Sequence, residues 1–85
     1  MPAKYFAIPK KVNKTVSKFP MKVQQRIDQV FDMLKQNPLA GTKLGGRLSK
    51  YYKFRLGDYR IIYSFDAKNS IVIIDKVEHR QGVYK

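Results

Sequence analysis

Hydrophobic positions change their spacing along the first half of the chain, and each change marks a predicted element. Residues 4–8 (KYFAI) combine two aromatics with aliphatic residues and end before a proline, which predicts a short first strand. From residue 9 to about residue 17 the period becomes helical, because Val12, Val16 and Phe19 recur at i, i+4 and i+7. We therefore expect a strand followed by a helix.

A second and longer helix is predicted between Pro20 and Pro38. Pro20 suits the first helical turn, and Pro38 lies just past the end. The apolar stripe of this helix consists of Val23, Ile27, Val30, Phe31 and Leu34. Only a short KFP segment separates the two helices, so they must form a hairpin or meet at a sharp angle. Residues 39–46 (LAGTKLGG) are predicted to form a loop.

The rest of the chain predicts strands, because it is rich in β-branched and aromatic residues. The three predicted strands are residues 49–56 (SKYYKFRL), 59–65 (YRIIYSF) and 70–79 (SIVIIDKVEH). The turn sequences GD and DAKNS join them as hairpins. The order β-α-α-β-β-β predicts a single α+β domain over residues 1–85, with a two-helix hairpin packed on a small antiparallel sheet.

Alternation along these strands assigns side chains to the two faces of the sheet. Lys53 and Arg55 are expected to point together, with Arg60 beside one of them. Such crowding is destabilising unless an anion receives the charge, although a solvated outer face would also accommodate it. On the last strand, one face is expected to hold Val72, Ile74, Lys76, Glu78 and Arg80. The other face is expected to hold Ile71, Ile73, Asp75, Val77 and His79.

Charge indicates the class of partner. Eighteen Lys and Arg residues against six Asp and Glu residues give a net charge of +12. An excess of this size opposes compaction and favours a polyanionic partner, with nucleic acid ahead of a membrane surface. Lys10, Lys14 and Lys18 fall at i, i+4 and i+8 and form either a phosphate-facing stripe or the solvated back of a helix.

Several classes of site are disfavoured by composition. The chain has no cysteine and one histidine, which excludes disulfides and thiolate metal sites and argues against zinc, so no metal or cofactor is expected. No apolar run approaches the roughly 20 residues that cross a bilayer, and no signal peptide is evident. We therefore expect a soluble cytoplasmic protein without a membrane partner.

The second half of the chain resembles the RelE/ParE toxin superfamily of toxin–antitoxin systems. The resemblance rests on an L-x-G loop, a Y-K/R-x-R-x-G-x-Y-R-I-x-Y hairpin and an H-R-x-x-x-Y ending. These correspond here to Leu44, Gly46, Tyr52, Lys53, Arg55, Gly57, Tyr59, Arg60, Ile61, Tyr63, His79, Arg80 and Tyr84. The preceding helical hairpin also fits, so the resemblance spans nearly the whole chain and implies the same α+β fold.

The resemblance implies a metal-independent endoribonuclease that cleaves mRNA in the ribosomal A site and is held inactive in a hetero-oligomer with a cognate antitoxin. Arg60 and Arg80 are expected to clamp the scissile phosphate, and Tyr84 to stack on a base or orient the attacking hydroxyl. Lys53 and His79 are alternative proton acceptors, and His79 needs a bulge or turn at HRQG to join Arg80. Further RNA contacts are expected from Arg55, Lys50, Arg47, Lys10, Lys14 and Lys18.

Two other functions fit the same fold. The ParE-like branch of the superfamily binds DNA gyrase and is not a nuclease, and fold alone does not separate the branches. A catalytically inactive RNA-binding module is the third alternative.

Overall fold

The computed structural model of the chain describes residues 2–80. Its elements are β1 (Tyr5–Ala7), α1 (Lys10–Val16), α2 (Met21–Gln36), β2 (Thr42–Lys43), a 3-10 turn (Gly46–Leu48), β3 (Tyr51–Leu56), β4 (Tyr59–Asp66) and β5 (Ile71–His79). The predicted order is confirmed, with one addition, because β2 lies in the segment predicted to be a loop. A strand of two exposed residues is too short to leave a hydrophobic pattern.

Both helices begin directly after a proline. The carbonyl oxygen of Pro9 accepts a hydrogen bond from the N–H of Val12 at 3.0 Å, and that of Pro20 accepts one from Val23 at 2.9 Å. Proline lacks an N–H, but the first N–H groups of a helix have no partner within the helix, so nothing is lost at these positions. The proline spacing therefore sets where each helix starts.

The sheet has five strands in the order β1-β5-β4-β3-β2. Strand β4 pairs antiparallel with both β3 and β5, and β2 pairs antiparallel with β3. Strand β1 pairs parallel with β5. The sheet is thus mixed rather than purely antiparallel. Most of the chain lies between β1 and its partner β5, so the connection is long enough for β1 to run either parallel or antiparallel to β5. The sequence pattern does not distinguish the two directions.

The helices and one face of the sheet enclose the core. The buried residues from the helices are Val12, Ile27, Val30, Phe31 and Leu34. The buried residues that the sheet contributes to this core are Ile61, Tyr63, Val72, Ile74 and Val77. The predicted apolar stripe of α2 is confirmed, with Val23 partly buried at its start. Among residues 2–80 no helix is long and apolar enough to cross a bilayer.

A β-bulge at Asp75 shifts the faces of the last strand. Ile62 pairs with Lys76 and the next residue, Tyr63, pairs with Ile74, so Asp75 is an extra residue on β5. The expected alternation is correct up to Ile74 and wrong beyond it, because an inserted residue reverses every later side chain. Val77 is consequently buried in the core, although the unbroken pattern assigned it to the other face.

Candidate active site

Three charged residues form a row across the outer face of the sheet. On β3 and β4, Arg55 lies opposite Arg60, and on β5 Glu78 lies opposite Arg60 from the other side. Opposed residues on neighbouring strands have Cβ atoms roughly 5 Å apart, so all three side chains occupy one small area. The alternative that placed Lys53 opposite Arg60 is wrong, because Lys53 pairs with Ile62.

A second row lies two residues further along the same face. It consists of Thr42, Lys53, Ile62 and Lys76 on four successive strands. Side chains two residues apart on a strand share a face, which brings Lys53 beside Arg55 and Lys76 beside Glu78. The two rows together concentrate basic side chains at one end of the sheet.

Glu78 joins these rows through two ion pairs. Its Oε2 atom accepts a hydrogen bond from an Arg60 Nη at 2.8 Å, and its Oε1 atom lies 2.9 Å from Lys76 Nζ. The hydrogen bonds from Arg60 and then Lys76 lower the pKa of Glu78 below its ordinary value. The same contact raises the pKa of Lys76. The two contacts therefore favour the charged form of the carboxylate.

These side chains surround a pocket of about 130 Å³ beside the turn between β3 and β4. The residues that line it are Lys53, Arg55, Gly57, Asp58, Tyr59, Arg60, Glu78 and Arg80. Gly57 has φ +58°, a conformation that favours glycine, and forms the turn. The N–H of Arg80 donates a hydrogen bond to the Asp58 carbonyl at 2.7 Å, which fixes the end of β5 to the same turn.

His79 is not among the residues that line the pocket. It pairs with Tyr59 across β4 and β5, and the two rings meet edge to face with centroids 4.6 Å apart. The Tyr59 ring also contacts that of Phe19, with centroids 4.8 Å apart, so the rings of Phe19, Tyr59 and His79 pack in a row. The structure therefore brings Arg80 to Arg60 and leaves His79 outside the set of residues that line the pocket.

The remaining predicted RNA contacts are spread over the surface. Arg47 and Lys50 are exposed near the 3-10 turn, and Lys50 Nζ lies 5.1 Å from the centroid of the Tyr51 ring. Lys10, Lys14 and Lys18 are also exposed, but Lys18 falls beyond the end of α1 and so continues no helical stripe. None of these five residues lines the pocket. Tyr84 lies outside the described residues.

Sequence reasoning missed the buried support behind Lys53. The hydroxyl of Tyr63 donates a hydrogen bond to the Pro38 carbonyl at 2.8 Å and accepts one from the Gly41 N–H at 2.9 Å. Burial raises the pKa of Tyr63, which keeps it a neutral donor. A Cβ on Gly41 would come within 2.8 Å of the Lys53 carbonyl oxygen, so only glycine allows this approach. No spacing in the sequence signals this contact.

Metal ligation is not evident in this part of the molecule. Across residues 2–80, no three side chains of His, Cys, Asp and Glu gather closely enough to hold an ion. The positive charge of the pocket comes instead from Lys and Arg side chains, which bind phosphate oxygens directly.

Two helices packed on a mixed sheet are also the fold of RelE toxins of known structure. The family model described as ParE toxin of type II toxin–antitoxin system, parDE, matches residues 8–84. The chain belongs to this family of toxins.

Relatives and solved structures agree with this assignment. The chain is 29% identical over 82 residues to the putative toxin RelE1 of Methanocaldococcus jannaschii, covering 92% of this chain and 91% of the relative. It is similar to the archaeal RelE–RelB complex from Pyrococcus horikoshii, with a TM-score of 0.75 and 30% identity over 89% of this chain and 93% of that one. The toxin–antitoxin complex RelBE2 from Mycobacterium tuberculosis shares the fold, with a TM-score of 0.84 and 24% identity over 94% of this chain and 100% of that one.

Proposed function

We propose that this toxin is a metal-independent endoribonuclease that cleaves mRNA on the ribosome. The observation that carries the proposal is the convergence of Lys53, Arg55, Arg60 and Arg80 on one pocket. Cations crowded on one sheet end repel each other and are best stabilised by a bound anion. A phosphodiester is the anion that a single-stranded RNA presents at regular intervals.

Cleavage of RNA without a metal uses the ribose 2′-hydroxyl as nucleophile. Its oxygen gives up a proton to the acceptor and attacks the adjacent phosphorus. The bond to the 5′-oxygen breaks as that oxygen takes up a proton from a protonated side chain or from water, and the products are a cyclic phosphate and a 5′-hydroxyl. Arg60 and Arg80 would bind the phosphate oxygens, whose negative charge grows in the transition state. Arg55 would extend the positive field, and Tyr84 would stack on a base or orient the hydroxyl.

The proton acceptor is assigned to Lys53 rather than His79. Lys53 lines the pocket, whereas His79 is not among the lining residues and packs against the ring of Tyr59. A general base must reach the proton that it removes, directly or through one water molecule. An arginine cannot serve, because its guanidinium does not lose a proton in proteins, whereas a lysine accepts the proton in its neutral amine form. Arg47, Lys50, Lys10, Lys14 and Lys18 would contact phosphates further along the RNA or the ribosome.

The proposed protein partner is an antitoxin. Both structural relatives named above are complexes of a toxin with an antitoxin. With a net charge of +12, an uncovered toxin would bind RNA without sequence specificity. We therefore expect an acidic, amphipathic segment of the antitoxin to cover the basic face. A ribosomal substrate would require this activity to be in the cytoplasm.

The test is to incubate the purified toxin with ribosomes programmed with mRNA and to map the new 5′ ends. The proposal requires cleavage that leaves 5′-hydroxyl and cyclic phosphate ends, and loss of cleavage when the antitoxin is added. Absence of new 5′ ends with both free and ribosome-bound mRNA would refute it.

The second candidate is a ParE-like gyrase inhibitor without nuclease activity. One observation favours it: the family model that matches this chain is described as that of the ParE toxin. A supercoiling assay with purified gyrase decides between the two functions. Inhibition of supercoiling together with intact mRNA would select the second candidate.

A further inference from the structure

Glu78 is an acidic residue inside a basic site. Its side chain is 20% exposed, lines the pocket and contacts Arg60 and Lys76 at 2.8 and 2.9 Å. Both carboxylate oxygens are therefore engaged by cations. Glu78 thus lies beside the arginine expected to bind the scissile phosphate.

We propose that Glu78 is a positioning residue, which holds the Arg60 guanidinium in the pocket and offsets the positive charge around it. The expected effect of Glu78 on cleavage rests on the proposed ribonuclease function. The effect of Glu78 on anion binding follows from the charges alone.

The orientation of Arg60 is the first part of the argument. An arginine side chain has several rotatable bonds, and Arg55 directly opposite would repel it from the pocket. The contact with Glu78 fixes the guanidinium before any substrate arrives, so the cost in conformational entropy is met during folding. The contact uses one nitrogen of Arg60, whose side chain stays 36% exposed. The other N–H donors can still reach a phosphate.

The charge offset is the second part. Lys53, Arg55, Arg60 and Arg80 line the pocket, and Lys76 adjoins it. A fixed carboxylate among them weakens the attraction for any single phosphate, so binding depends on the further contacts that a correct target supplies. Glu78 is a poor proton acceptor, because the two cations that bind it lower its pKa.

Glu78→Gln tests the proposal, with Asp75→Asn as the matched control. Both substitutions turn a carboxylate of β5 into an amide of the same shape and raise the net charge equally. Asp75 is not among the residues that line the pocket. Glu78→Asp is the third variant, which keeps the charge but shortens the side chain by one methylene. Circular dichroism checks that each variant is folded.

Three measurements are made on each variant. Affinity for a single-stranded DNA oligonucleotide reports anion binding without cleavage, since DNA has no 2′-hydroxyl. Single-turnover cleavage of ribosome-bound mRNA reports the chemical step. Side-chain Nε–H signals of arginine in NMR spectra report whether Arg60 keeps one orientation.

The expected results separate binding from chemistry. Glu78→Gln binds the DNA about 3- to 10-fold more tightly than Asp75→Asn at low salt, since it removes a charge next to the bound phosphate. Its cleavage rate constant falls by about 10-fold or more, and the Arg60 signal broadens. Glu78→Asp keeps the affinity of the wild type and loses cleavage.

Two outcomes would overturn the proposal. One is equal DNA affinity in Glu78→Gln and Asp75→Asn, even if cleavage is lost, since that pattern belongs to a proton acceptor. The other is an unchanged Arg60 signal in Glu78→Gln. If the wild type cleaves no RNA, the proposed function fails by itself, and DNA affinity and the Arg60 signal still decide the role of Glu78.

Discussion

Arg60 and Arg55 lie directly opposite each other on β4 and β3, on the outer face of the sheet. Opposed like charges are destabilising by about 0.2–1 kcal/mol relative to neutral pairs. The rigid turn between the two strands and the Glu78 carboxylate hold this arrangement in place. An anion bound between the two arginines would relieve the repulsion. The facing arginines therefore support the proposal of a phosphate site.

Arg60→Lys should lower the single-turnover cleavage rate by about 10²–10³-fold, because lysine keeps the charge but loses the planar pair of donors. Affinity for the oligonucleotide should change little, since the net charge is the same. Arg26→Lys makes the same change at an exposed position of α2 and should leave the rate intact. A wild-type rate in Arg60→Lys would show that Arg60 acts only through its charge.

Lys53→Gln should reduce cleavage by about 10²–10⁴-fold, the range for loss of a general base, whereas His79→Gln should stay within a few-fold of wild type. The reason is that Lys53 lines the pocket and His79 packs on Tyr59. The pH dependence of the cleavage rate gives a second check. A rate that rises through about pH 6–7 and loses that step in His79→Gln would make the histidine the acceptor.

Gly41→Ala should lower the free energy of unfolding by about 1–3 kcal/mol, as overpacking of a tight contact does. Its Cβ would lie 2.7 Å from the Tyr63 hydroxyl oxygen and 2.8 Å from the Lys53 carbonyl oxygen. Urea unfolding measures the change. Gly45→Ala is the control, since a Cβ there meets nothing within 4 Å, and equal stability of the two variants would contradict the contact.

The stability that Glu78 contributes should disappear in acid. Arg60 and Lys76 lower the pKa of Glu78 from its ordinary 4.5, so the folded state favours the charged carboxylate. That contribution is complete above the pKa of the unfolded chain and is lost as the pH falls through the lower pKa of the folded state. The unfolding free energy of the wild type relative to Glu78→Gln should be constant near neutral pH and shrink below about pH 4.5. A difference that persists unchanged in acid would exclude the ion pairs as its source.

Replacing Lys10, Lys14 and Lys18 together by Gln should weaken oligonucleotide binding and leave the rate constant of the bound substrate unchanged. These side chains are exposed and lie outside the set that lines the pocket. For single-stranded nucleic acid, each lost phosphate contact should reduce the slope of log affinity against log salt by about 0.7. An unaltered slope would identify the three lysines as a solvated surface.

Local features of the sequence determined the order and type of the main elements. The prolines fixed the helix starts, and the spacing of apolar residues identified the faces of α1 and α2 that enter the core. Alternation on β3 placed Lys53 and Arg55 on the outer face, away from the core residues between them. These features depend on neighbours within a few residues, which is why a pattern in the chain reveals them.

Contacts between distant segments were decided only by the tertiary structure. The bulge at Asp75 depends on how β5 pairs with β4, and it reverses the faces beyond Ile74. The pairing register also determines that Arg60 lies between Arg55 and Glu78 and that His79 lies against Tyr59. A register is chosen by the packing of the whole sheet, because each strand's buried face must match its neighbours at once. The same packing energy sets the parallel direction of β1, which its own three residues leave open.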